Sequence, residues 1–200
     1  AKRGITKLGE EPDGYCDKGG CDLNPFRIGN TSYYGPGDAF QVDTTLPMTV
    51  TTQFLTSDGT PNGDLVEIRR LYKQGGKLIA NANAGASYGK EFDSVSDGMC
   101  AKQKDYFGEA DVFTRKGGLR TLGEAMRRGM VLVMSIWDDP GAGMKWLDST
   151  DPYPVPAWIR GASRGSCTQE EGDAANARAQ HPDAHVVYEK IRYGEIGSTY

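Results

Sequence analysis

The chain has 200 residues, enough for one domain or a large part of one, and carries a net charge of -4 with a pI near 5.3. That acidic balance excludes the basic face a nucleic-acid partner requires, and no apolar run approaches the ~18 residues needed to span a membrane. With 38% hydrophobic residues, 27 glycines and 10 prolines, the composition favours a turn-rich, strand-based architecture over a helical bundle.

In chain order, residues 1–37 read as coil, dense in turn formers such as Glu11-Pro12-Asp13-Gly14 and Tyr34-Gly35-Pro36-Gly37. No charged leader followed by an apolar run opens them, so the chain is expected to start after a removed leader or inside a longer protein. Phe40 to Thr44 and Met48 to Phe54 alternate apolar with polar residues and predict half-buried strands broken at Pro47. Leu65 to Tyr72 and Lys77 to Asn81 flank Gln74-Gly75-Gly76, a hairpin signal. Residues 82–108 show no period and read as a long loop, of the kind that tends to carry function. Leu119, Leu122 and Met126 predict a short amphipathic helix stopped by Gly129. Met130 to Trp137 is apolar on both faces and predicts a central strand. Residues 138–182, with prolines at 140, 152, 154 and 156, read as loop, and Val186 to Tyr193 as a last strand. One short helix among several strands predicts an all-β sandwich with long loops. No repeat or linker divides the chain.

Few residues offer catalytic chemistry. The chain lacks a phosphate-binding loop and a Gly-x-Gly-x-x-Gly turn. The two histidines, His181 and His185, share one late polar loop with no third ligand nearby, so neither a metal nor a cofactor is expected. The four cysteines, Cys16, Cys21, Cys100 and Cys167, are even in number and suit disulfides. The acid pairs Glu91/Asp93 and Asp138/Asp139 have the wrong context for cleaving a glycosidic bond, which needs two carboxylates flanking it. The basic pairs Arg69-Arg70 and Arg127-Arg128 read as solvated faces. What remains is aromatic. Trp137 ends the predicted central strand and Trp146 follows in a Gly-rich loop, both near Asp138, Asp139 and Asp148. Sugars lay their C–H faces on such rings while acids and amides take the hydroxyls. The competing reading is core packing. Asn30-Thr31-Ser32 is an N-glycosylation sequon.

Four segments then narrow the field. Asp22 to Gly37 (DLNPFRIGNTSYYGPG) closely resembles a segment of the family 7 glycoside hydrolases, the cellobiohydrolases and endoglucanases. Gly129 to Asp139 (GMVLVMSIWDD) with Trp146 to Thr150 resembles a second segment of that family, Arg164 to Cys167 a third, and Ile191 to Thr199 a fourth, all in the same order. The resemblance implies a jelly-roll, concanavalin-like β-sandwich with a cellulose groove, and retaining cleavage of β-1,4-glucosidic bonds. It implies sugar platforms at Trp137 and Trp146 on the two sides of the cleavage point, and product-side contacts from Arg27, Arg164 and Asp22. The distance along the chain from Trp146 to Arg164 resembles cellobiohydrolases, which implies a processive, reducing-end mode. The family's catalytic Glu-x-Asp-x-x-Glu strand precedes these segments and has no counterpart here. The chain therefore reads as the C-terminal half of one catalytic domain, with no catalytic residue of its own and inactive alone. The resemblance also implies a Cys21–Cys100 disulfide, with Cys16 and Cys167 pairing to cysteines outside the chain. Asp151 stands where cellobiohydrolases carry Tyr, leaving Tyr153 as the candidate for that contact, and Gly19 replaces a family acid. The implied protein is secreted, glycosylated at Asn30, a monomer when complete, and partnered by cellulose or cello-oligosaccharides rather than by nucleic acid or membrane.

Overall fold

The structure, a computed structural model, describes residues 17, 19–89, 91–152 and 154–199. Two short strands, β1 (Tyr34–Gly35) and β2 (Val42–Asp43), pair in parallel. The principal sheet is antiparallel, in the order β3 (Thr49–Thr56), β4 (Leu65–Gln74) and β5 (Lys77–Ile79). Gly75 and Gly76 join β4 to β5 with φ of +56° and +79°. Positive φ at both positions is what a two-residue hairpin turn needs, because its twist then matches that of the strands. Phe54 faces Ile68 and Val50 faces Tyr72 across the β3–β4 ladder.

The predicted alternation in β3 is present, but its burial is inverted. Gln53 is buried at 5% exposure, while Val50 and Phe54 are 50% and 45% exposed. Their cross-strand neighbours put these apolar residues on one face of the sheet. Among the described residues nothing covers that face fully.

Residues 82–108 are not the long loop expected from the sequence. They contain α1 (Gly85–Tyr88) and α2 (Asp97–Phe107). Ser96 caps α2 by accepting a hydrogen bond from Met99 N (3.2 Å), and Gly108 closes it at φ +69°. Its buried face carries Met99 and Cys100 but also Gln103 and Lys104, so polar residues occupy core positions and mask the helical period. Helix α3 (Val112–Arg115) follows, then α4 (Gly118–Arg127), which corresponds to the helix predicted over 119–128. Asp97 in α2 accepts from Leu119 N (2.8 Å) and so satisfies a donor in the first turn of α4. Helix α4 lies against β4, where Gly123 meets Leu65. Helices α5 (Lys145–Asp148) and α6 (Ala174–Gln180) complete the set. The expectation of a single short helix is therefore corrected.

The core brings Ile28, Tyr33 and Val42 against Ala82, Ala84, Tyr88, Met99 and Cys100. The Cys21–Cys100 disulfide closes a separation of 79 residues inside it. Constraining a loop of that length in the unfolded chain is worth roughly 4–5 kcal/mol at the upper end.

Two expected strands do not form. Residues 130–137 and 186–193 belong to no sheet among the described residues, and Lys190 breaks the second run at φ +54°. The large apolar side chains of the first run are between 42% and 87% exposed, and Val187, Ile191 and Tyr193 of the second are open as well. Tyr188 Oη donates to Ser135 O (3.1 Å) and links the two runs. A strand needs a ladder partner for its N–H and C=O groups, and the described residues supply none here. No helix among them is long and apolar enough to cross a membrane.

Candidate functional site

Trp137 and Trp146 come together. Their ring centroids lie 6.0 Å apart with planes tilted by 31°, and the side chains are 57% and 41% exposed. Trp146 sits in the single-turn helix α5, which Met144 enters at φ +55°. The two indoles form one aromatic patch open to solvent.

The acids beside the patch are committed to holding the loops. Asp138 pairs with Arg178 of α6 (2.9 Å). Asp139 Oδ1 accepts from Gly141 N and Ala142 N. Asp148 Oδ1 accepts from Ser166 N, and its Oδ2 accepts from the Cys167 thiol at 3.2 Å. Burial, reinforced by that hydrogen bond and by the Asp148 charge, pushes the Cys167 thiol up to about 11. Glu91 and Asp93 are exposed loop residues.

A second cluster forms around Arg27. Its side chain is only 3% exposed. Its Nε donates to Gly161 O (2.9 Å), its guanidinium lies 3.8 Å from the Phe107 ring centroid, and one terminal nitrogen donates to Glu109. Lys104 Nζ reaches the other Glu109 oxygen at 3.0 Å. Burial opposes the Glu109 charge, but the field of Arg27 and the hydrogen bonds from Lys104 and Arg27 prevail and hold its carboxyl below the ordinary value. Arg164 lies within the same electrostatic neighbourhood. Burial and the like charge of Arg27 lower its affinity for its proton, against the pull of Glu109, Asp151 and Asp22. Its Nη2 is 3.7 Å from Asp151, and its Nε is buried without an acceptor among the described residues. Asn24 Nδ2 donates to Arg164 O (2.8 Å), which fastens the two arginine-bearing segments together. Asp22 is exposed, and its backbone oxygen accepts from Gln103.

The structure thus gathers Arg27, Arg164 and Asp22 at one place and Trp137 with Trp146 at another. Asn30 lies in the turn before β1, half-buried. Tyr153 and Cys16 lie outside the described residues, and Cys167 is a free thiol among the described ones. Glu109, Lys104 and Phe107 did not stand out in the sequence. Lys104 and Phe107 lie in the stretch that reads as loop and Glu109 just after it, and only the packing of α2 against Arg27 brings them into play.

The chain resembles known proteins throughout its length. The model of "Glycosyl hydrolase family 7" matches residues 3–200. A cellobiohydrolase of that family from Daphnia pulex is 43% identical with a TM-score of 0.81, covering 84% of this chain and 38% of its own. A cellobiohydrolase from Melanocarpus albomyces, solved with cellotetraose, is 37% identical with a TM-score of 0.80, over 92% of this chain and 40% of its own. The endocellulase EGI of Humicola insolens is also 37% identical, with a TM-score of 0.77, over 92% and 42%. The chain spans about two fifths of the length of these relatives.

Proposed function

Because the chain belongs to glycosyl hydrolase family 7, we propose that it acts in the hydrolysis of β-1,4-glucosidic bonds of cellulose, as the C-terminal part of one catalytic domain. Its share is binding. Trp137 and Trp146 offer the apolar platform, and Arg27, Arg164 and Asp22 supply the polar grip on the product side. Tyr153 is proposed to join that grip. The observation that carries this reading is the convergence of Arg27 and Arg164, 137 positions apart in sequence, tied through Asn24 and Gly161 and backed by Glu109. Rigidly held guanidinium groups are suited to taking sugar hydroxyls as paired acceptors.

The acid pair of a retaining glycosidase sits roughly 5 Å apart. The carboxylates near the aromatic patch are instead engaged with Arg178, with loop amides and with Cys167. The reacting carboxylates are therefore assigned to a strand outside this chain. The open apolar face at Val50 and Phe54, with the unpaired runs at 130–137 and 186–193, supports the same division. A second sheet contributed by the rest of the domain would cover them and complete a jelly-roll sandwich. The reducing-end, processive mode follows the cellobiohydrolase-like stretch from Trp146 to Arg164. Secretion suits the Cys21–Cys100 disulfide, with a glycan on Asn30 and a disulfide from Cys167 to a partner beyond this chain.

Titration of the naturally expressed protein with cellotetraose, followed by tryptophan fluorescence, tests the binding role. Saturable quenching that weakens roughly tenfold in W146A is expected; unchanged affinity in both W146A and R164A would remove the reading. A second reading, a carbohydrate-binding sandwich without catalysis, is favoured by the engaged acids. An intact mass well above 21.7 kDa, together with cellulase activity, decides against it.

A further inference from the structure

Beside the Arg27–Arg164 cluster lies a cleft of about 280 Å³ that shares Arg27 and Gly161 with it. Phe26 and Arg27, Tyr106 at the end of α2, and the strap from Trp158 to Gly161 line it. Trp158 is 82% exposed, far more than either Trp137 or Trp146. An indole so open beside a concave surface has its face free to stack on an apolar ligand face.

The strap is held in place, so the indole is presented rather than loose. Pro156 O accepts from Ile159 N and Ile159 O from Ala162 N, each at 3.0 Å, and Gly161 O accepts from Arg27 Nε. The guanidinium of Arg160 sits 4.6 Å from the Tyr106 ring centroid and its Nη1 donates to Tyr106 O (3.5 Å), which fixes the side chain at the cleft. The cleft is thus lined by aromatic faces, with Arg160 and Thr31 as polar groups at its rim. It carries no carboxylate, so it does not select a cation. Its volume of about 280 Å³ falls just below the roughly 300–1,000 Å³ of ligand pockets and suits a small ligand such as one or two pyranose rings.

We propose that this cleft is an accessory sugar subsite, in which glucosyl units of a β-glucan stack on Trp158 and hydrogen-bond to Arg160. This deepens the reading given above and rests on it for the choice of sugar. Arg27 and Gly161 form part of both sites, so a chain leaving the Arg27–Arg164 grip has this cleft next to it. A glycan on Asn30 could bring the same pyranose chemistry, since the neighbouring Gly29 and Thr31 line the cleft.

The test follows the indole Nε1–H resonances of the naturally expressed protein by NMR during cellotetraose addition. The resonance lost in W158A is expected to shift saturably, in the wild type and in W146A alike. R160A is expected to raise the dissociation constant read from it roughly threefold to tenfold. A Trp158 resonance that stays still while those of Trp137 and Trp146 move overturns the cleft and leaves the groove intact. Movement of the Trp158 resonance alone upholds the cleft and removes the groove. Movement of that resonance on N30Q substitution, with no response to cellotetraose, identifies the Asn30 glycan as the occupant and overturns the glucan proposal. No movement under any of these conditions overturns it too. Since Trp158 is largely exposed, its substitution leaves the core untouched.

Discussion

Glu109 shows how one carboxylate can hold two nearly buried basic side chains together. It stands between Arg27 and Lys104, whose side chains are 3% and 8% exposed, while its own is 22% exposed. Removing it would leave two nearly buried cations without their partner, a larger loss than the pair itself is worth. Glu109→Ala is expected to lower unfolding free energy by roughly 2–3 kcal/mol in a denaturant titration, and to weaken cellotetraose binding as Arg27 loosens. The pH dependence has a definite sign. The folded carboxyl is held below its ordinary value, so its stabilisation is complete at neutral pH and is lost as pH falls through the folded value. The melting temperature should therefore drop on acidification below about pH 4.5, and less steeply in Glu109→Gln. A parallel pH profile in wild type and variant would refute this assignment. In residues 1–200 expressed alone, where Cys167 keeps a free thiol, that thiol is pushed up to about 11 and almost wholly protonated at pH 7.5, so its alkylation should be slow beside that of an ordinary cysteine.

At the scale of elements, the contact between α4 and β4 turns on a missing side chain. A Cβ added at Gly123 would stand 2.7 Å from Leu65 Cβ and 3.3 Å from its backbone nitrogen. In an isolated helix, alanine is better than glycine by about 1 kcal/mol. Here the neighbour is a strand backbone that cannot step aside, so overpacking prevails. Gly123→Ala is expected to destabilise by roughly 1–2 kcal/mol net of the helix gain, measured by chemical unfolding; a stabilised variant would mean that α4 does not seat on β4. The hairpin of β4 and β5 was readable because Gly75-Gly76 is a local instruction. Helix α2 was not. Its cap is an ordinary serine, and its buried face includes Gln103 and Lys104, whose partners Asp22 and Glu109 are supplied by other segments.

At the scale of the whole molecule, the exposed apolar surface decides the behaviour. The open face of β3 and β4 and the two unpaired runs together form the kind of surface that binds hydrophobic dyes and aggregates. Residues 1–200 expressed alone are expected to bind such a dye, to lack cellulase activity and to depend on the Cys21–Cys100 bridge. Clear activity from that isolated chain would overturn the assignment of the catalytic carboxylates to another segment. The sequence by itself determined what is local: the alternation of β3, the two-glycine turn, the amphipathic period of α4 and the ordered motifs that mark the family. Most of the binding candidates, Trp137, Trp146, Arg27 and Arg164 among them, were legible through those motifs. Only the tertiary structure decided which residues meet. The Arg27–Glu109–Lys104 cluster, the Trp158 cleft and, among the described residues, the absence of ladder partners for 130–137 all depend on segments far apart in the chain. Hydrophobic period can say that a segment is able to be buried; whether it is depends on a neighbour that the segment does not encode.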